Sequence, residues 1–164
     1  MEPLIRLATE SDLSAINEIY NHYVFNSTCT YQEEGERLED RRPWFAKHSP
    51  SHHPVTVAVI DGIVVGWGAL SPFHQRSAYR FTVENSVYVS HDRQRRGIGS
   101  AILRDLIERA NAAGQKTIIA GIDAEQLGSI ALHKQFGFEN VAHLKSVGFK
   151  FGRWLDVIYM QLIM

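Results

Sequence analysis

The sequence predicts a single α/β (α+β) domain with a central mixed sheet flanked by helices, covering residues 1–164. Apolar runs with strand periodicity alternate with segments in which apolar residues recur at helical intervals. A chain of 164 residues can bury one core but is too short for two ordinary domains. A hydrophobic content of 45% and a charged content of 21% are typical of a soluble globular protein.

The composition also excludes several classes of protein. A formal net charge of −1 argues against a general nucleic-acid binder. No run approaches the roughly 18 apolar residues of a membrane-spanning helix, and the N-terminus lacks the basic and apolar regions of a signal peptide. The single cysteine, Cys29, cannot form an internal disulfide. We therefore expect a cytoplasmic protein without nucleic-acid or membrane partners.

The first elements follow from local patterns. A strand is predicted at residues 5–8, and Thr9 and Asp12 have the spacing of a capping box. The helix that follows places apolar residues at helical intervals: Leu13, Ile16, Ile19, Tyr20 and Tyr23. Residues 26–31 form a loop. A second helix is predicted at residues 36–48, disturbed at Pro43, with Trp44 and Phe45 directed inward.

Three histidines in the next loop raise the question of a metal site. His48, His52 and His53 lie in a stretch rich in Ser and Pro, without an acidic or cysteine partner at ligand spacing. We therefore expect no metal.

A hairpin and a strand with two different faces come next. Residues 54–60 and 63–70 are predicted strands joined by the turn signal Asp61-Gly62, and residues 71–77 form a loop. In residues 83–89, valines alternate with Glu84, Ser86 and Tyr88, which therefore share one face of a strand.

A glycine-bearing loop connects that strand to a long helix. After a turn at residues 90–92, apolar residues from Ile98 to Ala110 mark one helical face, and Gly114 supplies a stop. The free N–H groups and the dipole of a helix N-terminus favour an anion. Gly97 and Gly99 allow a phosphate close to the backbone, and Arg93, Arg95 and Arg96 add positive charge. The loop is therefore a candidate pyrophosphate site; a tight turn without a ligand is the alternative.

The remaining elements complete the alternation. Residues 117–122 are a predicted apolar strand, and the helix after it contains Ile130, Leu132, His133 and Phe136 and ends at Gly137. Residues 154–163 are apolar on both faces, as in a buried strand.

The order Gln94-x-x-Gly97-x-Gly99 is the acyl-CoA signature of the GNAT N-acetyltransferases, which this chain resembles from residue 5 to residue 162. Walker and dinucleotide-binding motifs match less well. Three segments resemble the phosphinothricin acetyltransferase branch, which includes relatives that acetylate methionine sulfone and methionine sulfoximine: residues 82–89, 132–138 and 152–157.

The resemblance implies a splayed sheet that holds acetyl-CoA in its gap. Backbone groups of Val87, Tyr88 and Val89 would pair with the pantetheine arm, and the Val89 N–H would donate to the acetyl carbonyl. The pyrophosphate would lie on the loop residues Arg95, Arg96, Gly97, Ile98, Gly99 and Ser100. Gln126 stands where many GNAT enzymes have an asparagine that contacts CoA.

Two side chains are candidates for the chemistry. Glu84 lies within an apolar strand, where a raised pKa suits a general base; the alternative is a structural carboxylate paired with Arg76 or Arg80. His133 stands where many GNAT enzymes have a tyrosine that protonates the leaving thiolate. The alternative is a histidine on the helix surface that contacts CoA.

The resemblance also implies an acceptor site and a homodimer. The acceptor wall would include Tyr31, with Phe25 beside it, and Phe73, Ser77, Ala78, Tyr79 and Glu84. Arg76 or Arg80 would bind a substrate carboxylate, unless both are only surface charges. Lys150 and residues 152–154 match a segment near the substrate and the subunit interface, so we expect a homodimer.

The leading hypothesis is acetyl-CoA-dependent N-acetylation of a small amino acid or analogue, such as phosphinothricin, methionine sulfoximine or methionine sulfone. Three alternatives remain open from the sequence: a peptide or protein N-acetyltransferase, a CoA-binding module without catalysis, and a nucleotide-phosphate binder of another fold.

Overall fold

A computed structural model describes residues 2–164, so Met1 lies outside the described residues. The strands are β1 (Leu4–Leu7), β2 (Val55–Ile60), β3 (Ile63–Pro72), β4 (Thr82–Val89), β5 (Thr117–Asp123), β6 (Glu139–Lys150) and β7 (Arg153–Ile163). The α-helices are α1 (Leu13–Asn26), α2 (Leu38–Ala46), α3 (Ile98–Ala112) and α4 (Leu127–Gln135).

The seven strands form one mixed sheet in the order β1-β2-β3-β4-β5-β7-β6. Every neighbouring pair is antiparallel except β4 and β5, which are parallel. That pair is joined only between residues 82–84 and 117–119, and the strands then separate. The mixed, splayed sheet expected from the sequence is therefore confirmed.

Helix α3 covers one face of the sheet. Its apolar residues Ile102 and Leu106 are fully buried against β2, β3, β4 and β5, as the helical periodicity predicted. The helix lies close to β3 because Gly68 has no side chain: a Cβ there would lie 2.5 Å from Ile102 Cγ2.

Helices α1 and α2 cover only part of the opposite face. They pack against Val57, Trp67 and Ala69 of β2 and β3, with Trp44 and Phe45 directed inward as predicted. On β4, helix α1 covers Tyr88, whose ring packs against Tyr20 and Tyr23, whereas Glu84 and Gly121 line the open region between β4 and β5. The sheet therefore carries an uncovered region where its two parallel strands separate.

Strand β6 was not predicted from the sequence. It lies at the edge of the sheet, and most of its side chains are exposed. Its pairing with β7 is interrupted between Asn140 and Ala142 and again between Leu144 and Gly148. Because each irregularity shifts the alternation and solvent imposes no apolar face, the strand has no period-2 pattern to detect.

Within residues 2–164, no helix combines the length and apolarity that crossing a membrane requires.

Candidate active site

The separation of β4 and β5 opens a cleft of about 890 Å³. It is bounded by those two strands, by the loop before α3, by the first turns of α4 and by the loop after α1. Of the residues predicted from the sequence, it brings together Tyr31, Glu84, Val87, Tyr88, Val89, Arg95, Gly97, Ile98, Gly99, Ser100, Gln126 and His133.

The β3–β4 register decides which backbone groups of β4 face the cleft. The Ser90 N–H donates to the Val65 carbonyl at 2.8 Å, and hydrogen-bonded pairs alternate along an antiparallel ladder. Val87 and Val89 therefore turn their N–H and C=O groups away from β3 and toward the cleft. Tyr88 turns its groups toward β3, which corrects the expectation that it would supply a backbone partner.

The loop before α3 has the form of an anion site. Arg95 has φ 59° and Gly97 has φ 78°, so the chain makes a left-handed turn into the helix. No side chain caps this N-terminus. The first N–H groups of α3 have no acceptor within the helix, and they belong to residues that line the cleft. Arg96 is exposed outside the cleft lining.

Glu84 projects from β4 into the cleft and is half-buried. Burial raises the pKa of its carboxyl. Among residues 2–164, no basic side chain lies within ion-pair distance of it. The guanidinium of Arg80 instead lies 4.6 Å from the centre of the Phe81 ring and donates to the Ser77 carbonyl at 3.2 Å. The alternative of a structural ion pair for Glu84 is therefore wrong.

His133 is buried beneath the cleft, with 3% of its surface exposed. Its Nδ1 lies 2.8 Å from the Ser129 carbonyl, which can only accept, so Nδ1 carries the proton. Its Nε2 lies 2.9 Å from Asn85 Nδ2 and accepts from it. Burial lowers the pKa of the imidazole, which favours the neutral ring. His133 is not a surface histidine, and neither nitrogen has a free N–H for a thiolate.

The loop after α1 closes the cleft over the end of β5 and is not a plain connector. Asp123 is 4% exposed and accepts from Thr28 Oγ1 at 3.0 Å and from the Tyr31 hydroxyl at 2.6 Å. Gln126 Nε2 donates to Thr28 Oγ1 at 3.0 Å. The Gln126 amide therefore holds this loop as well as lining the cleft.

The sequence analysis did not identify two buried charged groups of this region, Asp123 and Lys150. Asp123 follows directly on the apolar run 117–122, and an acid at the end of a strand is a signal that could have identified it. Lys150 was matched only to a segment near the substrate and the subunit interface. Its ammonium is buried and donates to the carbonyls of Ser27 and Thr30 at 2.7 and 2.8 Å, beneath the same loop.

Several predicted acceptor residues lie outside the cleft lining. Phe73, Ser77, Ala78 and Tyr79 belong to the connection between β3 and β4, where the Phe73 and Tyr79 rings are 5.8 Å apart. Neither Arg76 nor Arg80 lines the cleft. The structure does not bring these residues together with Glu84.

The loop that contains His48, His52 and His53 makes contacts with protein groups. His48 contacts the Trp44 carbonyl at 2.8 Å and Ser71 Oγ at 3.1 Å. In the part of the chain that the structure describes, no three His, Cys, Asp or Glu side chains are grouped to hold a metal ion.

Comparisons with known proteins agree with this geometry. The model of the acetyltransferase (GNAT) domain matches residues 5–159. The L-methionine sulfoximine/L-methionine sulfone acetyltransferase of Pseudomonas aeruginosa is 39% identical over 163 residues, which are 99% of this chain and 95% of that protein.

Two solved structures share the whole fold. A GNAT-superfamily phosphinothricin acetyltransferase of Sinorhizobium meliloti, in complex with AcCoA, has a TM-score of 0.96 and 39% identity over 100% of this chain and 89% of that one. A ribosomal-protein-alanine N-acetyltransferase of Brucella melitensis has a TM-score of 0.95 and 43% identity over 98% and 99% of the two chains. The chain belongs to the GNAT acetyltransferase family and is an acyltransferase.

Proposed function

We propose that this enzyme transfers the acetyl group of acetyl-CoA to the α-amino group of a small amino acid or analogue. Phosphinothricin, methionine sulfoximine and methionine sulfone are the proposed acceptor type. The observation that carries the proposal is a single cleft with an anion loop at one end and a half-buried carboxylate without an ion pair at the other. The names of the relatives support the acceptor class, and the proposal treats residues 1–164 as one catalytic domain.

The donor would lie along β4. Its pyrophosphate would accept from the N–H groups of Ile98, Gly99 and Ser100, with Arg95 and Arg96 adding charge. The pantetheine amides would pair with the backbone of Val87 and Val89, in the manner of an added strand. Because the Val89 N–H faces the cleft, it is the proposed donor to the acetyl carbonyl, where negative charge develops during the reaction.

Glu84 is the proposed general base. The acceptor arrives as an ammonium and must lose a proton before its lone pair attacks the thioester carbon. As the C–N bond forms, the C–S bond breaks and CoA leaves as a thiolate, and the nitrogen releases its second proton to solvent to give the neutral amide. Partial burial raises the pKa of the Glu84 carboxyl, which makes it a stronger base for the proton of the ammonium than an exposed glutamate. The ammonium of the bound acceptor would be the positively charged partner that Glu84 lacks in the empty cleft.

His133 has a positioning role in this proposal. Its imidazole joins Asn85 of β4 to the Ser129 carbonyl of α4. These two elements form opposite walls of the cleft around the thioester. A neutral imidazole with both nitrogens engaged holds the walls at a fixed separation and has no proton free for the thiolate.

We also infer a homodimer formed through the β6–β7 hairpin. The hairpin exposes six large apolar side chains: Val141, Leu144, Val147, Phe149, Phe151 and Trp154. Trp154 is 67% exposed, and its ring contacts that of Phe149 at 5.1 Å between centres. An exposed edge strand with an apolar patch is a liability in a monomer. In the proposed dimer, the hairpin of a second copy packs against this hairpin about a two-fold axis and covers its edge strand and its apolar patch.

The test is CoA release from acetyl-CoA with phosphinothricin, methionine sulfoximine, methionine sulfone, ordinary amino acids and a peptide. The variant Glu84→Gln is run beside Glu108→Gln, whose exposed carboxylate lies on α3. Turnover of phosphinothricin, methionine sulfoximine or methionine sulfone that is lost in Glu84→Gln and kept in Glu108→Gln supports the proposal. Acetyl-CoA binding without turnover of any amine would contradict it and support a binding module.

A second candidate function is N-acetylation of a peptide or protein. It is favoured by the 43% identity to the Brucella melitensis protein, which is named for a ribosomal-protein alanine. The peptide in the panel should therefore begin with alanine. A kcat/KM for this peptide above that for every free amino acid would replace the leading proposal with this one.

A further inference from the structure

A glycine interrupts the middle of β5 at the point where the cleft meets Glu84. Gly121 lies two residues beyond Ile119, the last β5 residue paired with β4, and it is exposed to the cleft. Glycine weakens a strand because it gains no packing and loses more backbone freedom on folding than any other residue. Its presence in a central strand needs a reason.

The fold itself does not require this glycine. Gly121 is not among the residues with positive φ. A Cβ at this position would lie 3.3 Å from Tyr159 Cε1 and 3.5 Å from Glu84 Oε1. By contrast, a Cβ at Gly148 would lie 2.4 Å from a ring carbon of Tyr31. The backbone and the neighbours of Gly121 therefore accept a methyl group with a small shift of the Tyr159 ring.

The space left by the missing side chain lies beside the proposed base. Glu84 on β4, Gly121 on β5 and Tyr159 on β7 line the same cleft, and Gly121 is paired with Tyr159 in the sheet. A group that occupies the space above Gly121 contacts both the carboxylate and the aromatic ring. A strand glycine often marks a bulge, a bend or a close approach of a ligand to the backbone, and the β5–β7 register has no shift at Gly121.

We propose that Gly121 determines acceptor specificity by leaving room beside Glu84 for the substituents on the α-carbon of the acceptor. This inference rests on the proposed function. It narrows the class of acceptor to primary amines whose α-carbon carries a further substituent, as in amino acids. The Tyr159 ring forms the wall against which that carbon lies. A methyl group at position 121 occupies the space that the α-substituent needs.

The test compares Gly121→Ala with the unsubstituted enzyme on two matched amines. Methionine sulfone has an α-carboxylate, and 3-(methylsulfonyl)propylamine has the same side chain without it. We expect kcat/KM for methionine sulfone to fall roughly tenfold or more, in the range that one methylene-sized misfit costs. The unbranched amine, measured as a substrate or as a competitive inhibitor, should change less than about threefold, and Tm should not fall.

Gly128→Ala is the matched control. Gly128 also lines the cleft, at the start of α4, and a Cβ there meets nothing within 4 Å. This substitution should leave the ratio between the two amines unchanged, whatever it does to the KM for acetyl-CoA. Equal losses for both amines in Gly121→Ala, or a rise in the acetyl-CoA KM alone, would overturn the inference. Absence of turnover in the unsubstituted enzyme would overturn the proposed function and, with it, this inference.

Discussion

Asn85 of β4 donates from its Nδ2 to Nε2 of His133 on α4, across 2.9 Å, and both side chains are buried. The oxygen of this amide, Asn85 Oδ1, has no hydrogen-bond partner among residues 2–164. The Ser129 carbonyl fixes the proton of the imidazole on Nδ1, so only the Nδ2 side of the amide can face Nε2. The pair joins the two walls of the cleft and holds His133 in one neutral tautomer.

His133→Asn should therefore act mainly through structure. Loss of two buried hydrogen bonds should lower the free energy of unfolding by about 1–3 kcal/mol, measured by urea denaturation. The alkaline side of the kcat–pH profile should keep its shape, because in the proposed mechanism His133 supplies no proton to the thiolate. A variant of unchanged stability whose alkaline limb disappears would instead identify His133 as a general acid.

Glu84 predicts how activity depends on pH. Because burial raises the pKa of its carboxyl, kcat/KM should fall as pH decreases through that raised pKa, where the proposed base becomes protonated. Glu84→Gln should remove this acid limb and lower kcat by roughly 100-fold or more. An acid limb that persists in Glu84→Gln would assign the titration to another group.

The raised pKa of the Glu84 carboxyl also predicts how the stability of the protein depends on pH. A raised pKa means that the folded state disfavours the charged form, so stability is lost as pH rises through the folded pKa. Glu84→Gln should therefore unfold at a higher urea concentration than the unsubstituted protein at pH 8. The difference should shrink toward pH 4, near the pKa of an exposed glutamate. A variant less stable at both pH values would show that the charge has a partner.

The close contact between Gly148 and Tyr31 should couple β6 sterically to the loop that closes the cleft. A Cβ at Gly148 would lie 2.4 Å from the Tyr31 ring, so Gly148→Ala should lower the free energy of unfolding by about 1–3 kcal/mol. In a Tyr31→Ala background the same substitution should cost much less. A double-mutant cycle in urea measures the coupling. Additive effects would show that the ring does not oppose the methyl group.

Trp154 tests the proposed dimer. Trp154→Asp introduces a charge into the exposed hairpin patch and should produce a monomer in analytical ultracentrifugation. Leu4→Asp is the control, because Leu4 is 63% exposed at the opposite edge of the sheet, against 67% for Trp154. A Trp154→Asp protein that sediments like the Leu4→Asp protein would exclude the hairpin as the interface.

Much of the fold and part of the site were accessible from local patterns. The periodicity from Leu13 to Tyr23 and the alternation in residues 83–89 each identified an element within a few residues of its bounds. The loop at Gly97 and Gly99 was recognisable because its role depends on backbone groups next to one another in sequence. The edge strand β6 was not, because bulges and exposure remove its periodicity.

The sequence by itself determined the fold class, the family resemblance, the anion loop and the presence of an acid at position 84. These depend on residues close together along the chain, where spacing alone sets the geometry. Only the tertiary structure decided the partners of the buried polar groups: Asn85 with His133 is a contact over 48 residues, and Lys150 with Thr30 is one over 120. A side chain buried far from its partner in sequence leaves no local pattern. Such partners are fixed only when the packed sheet brings them together.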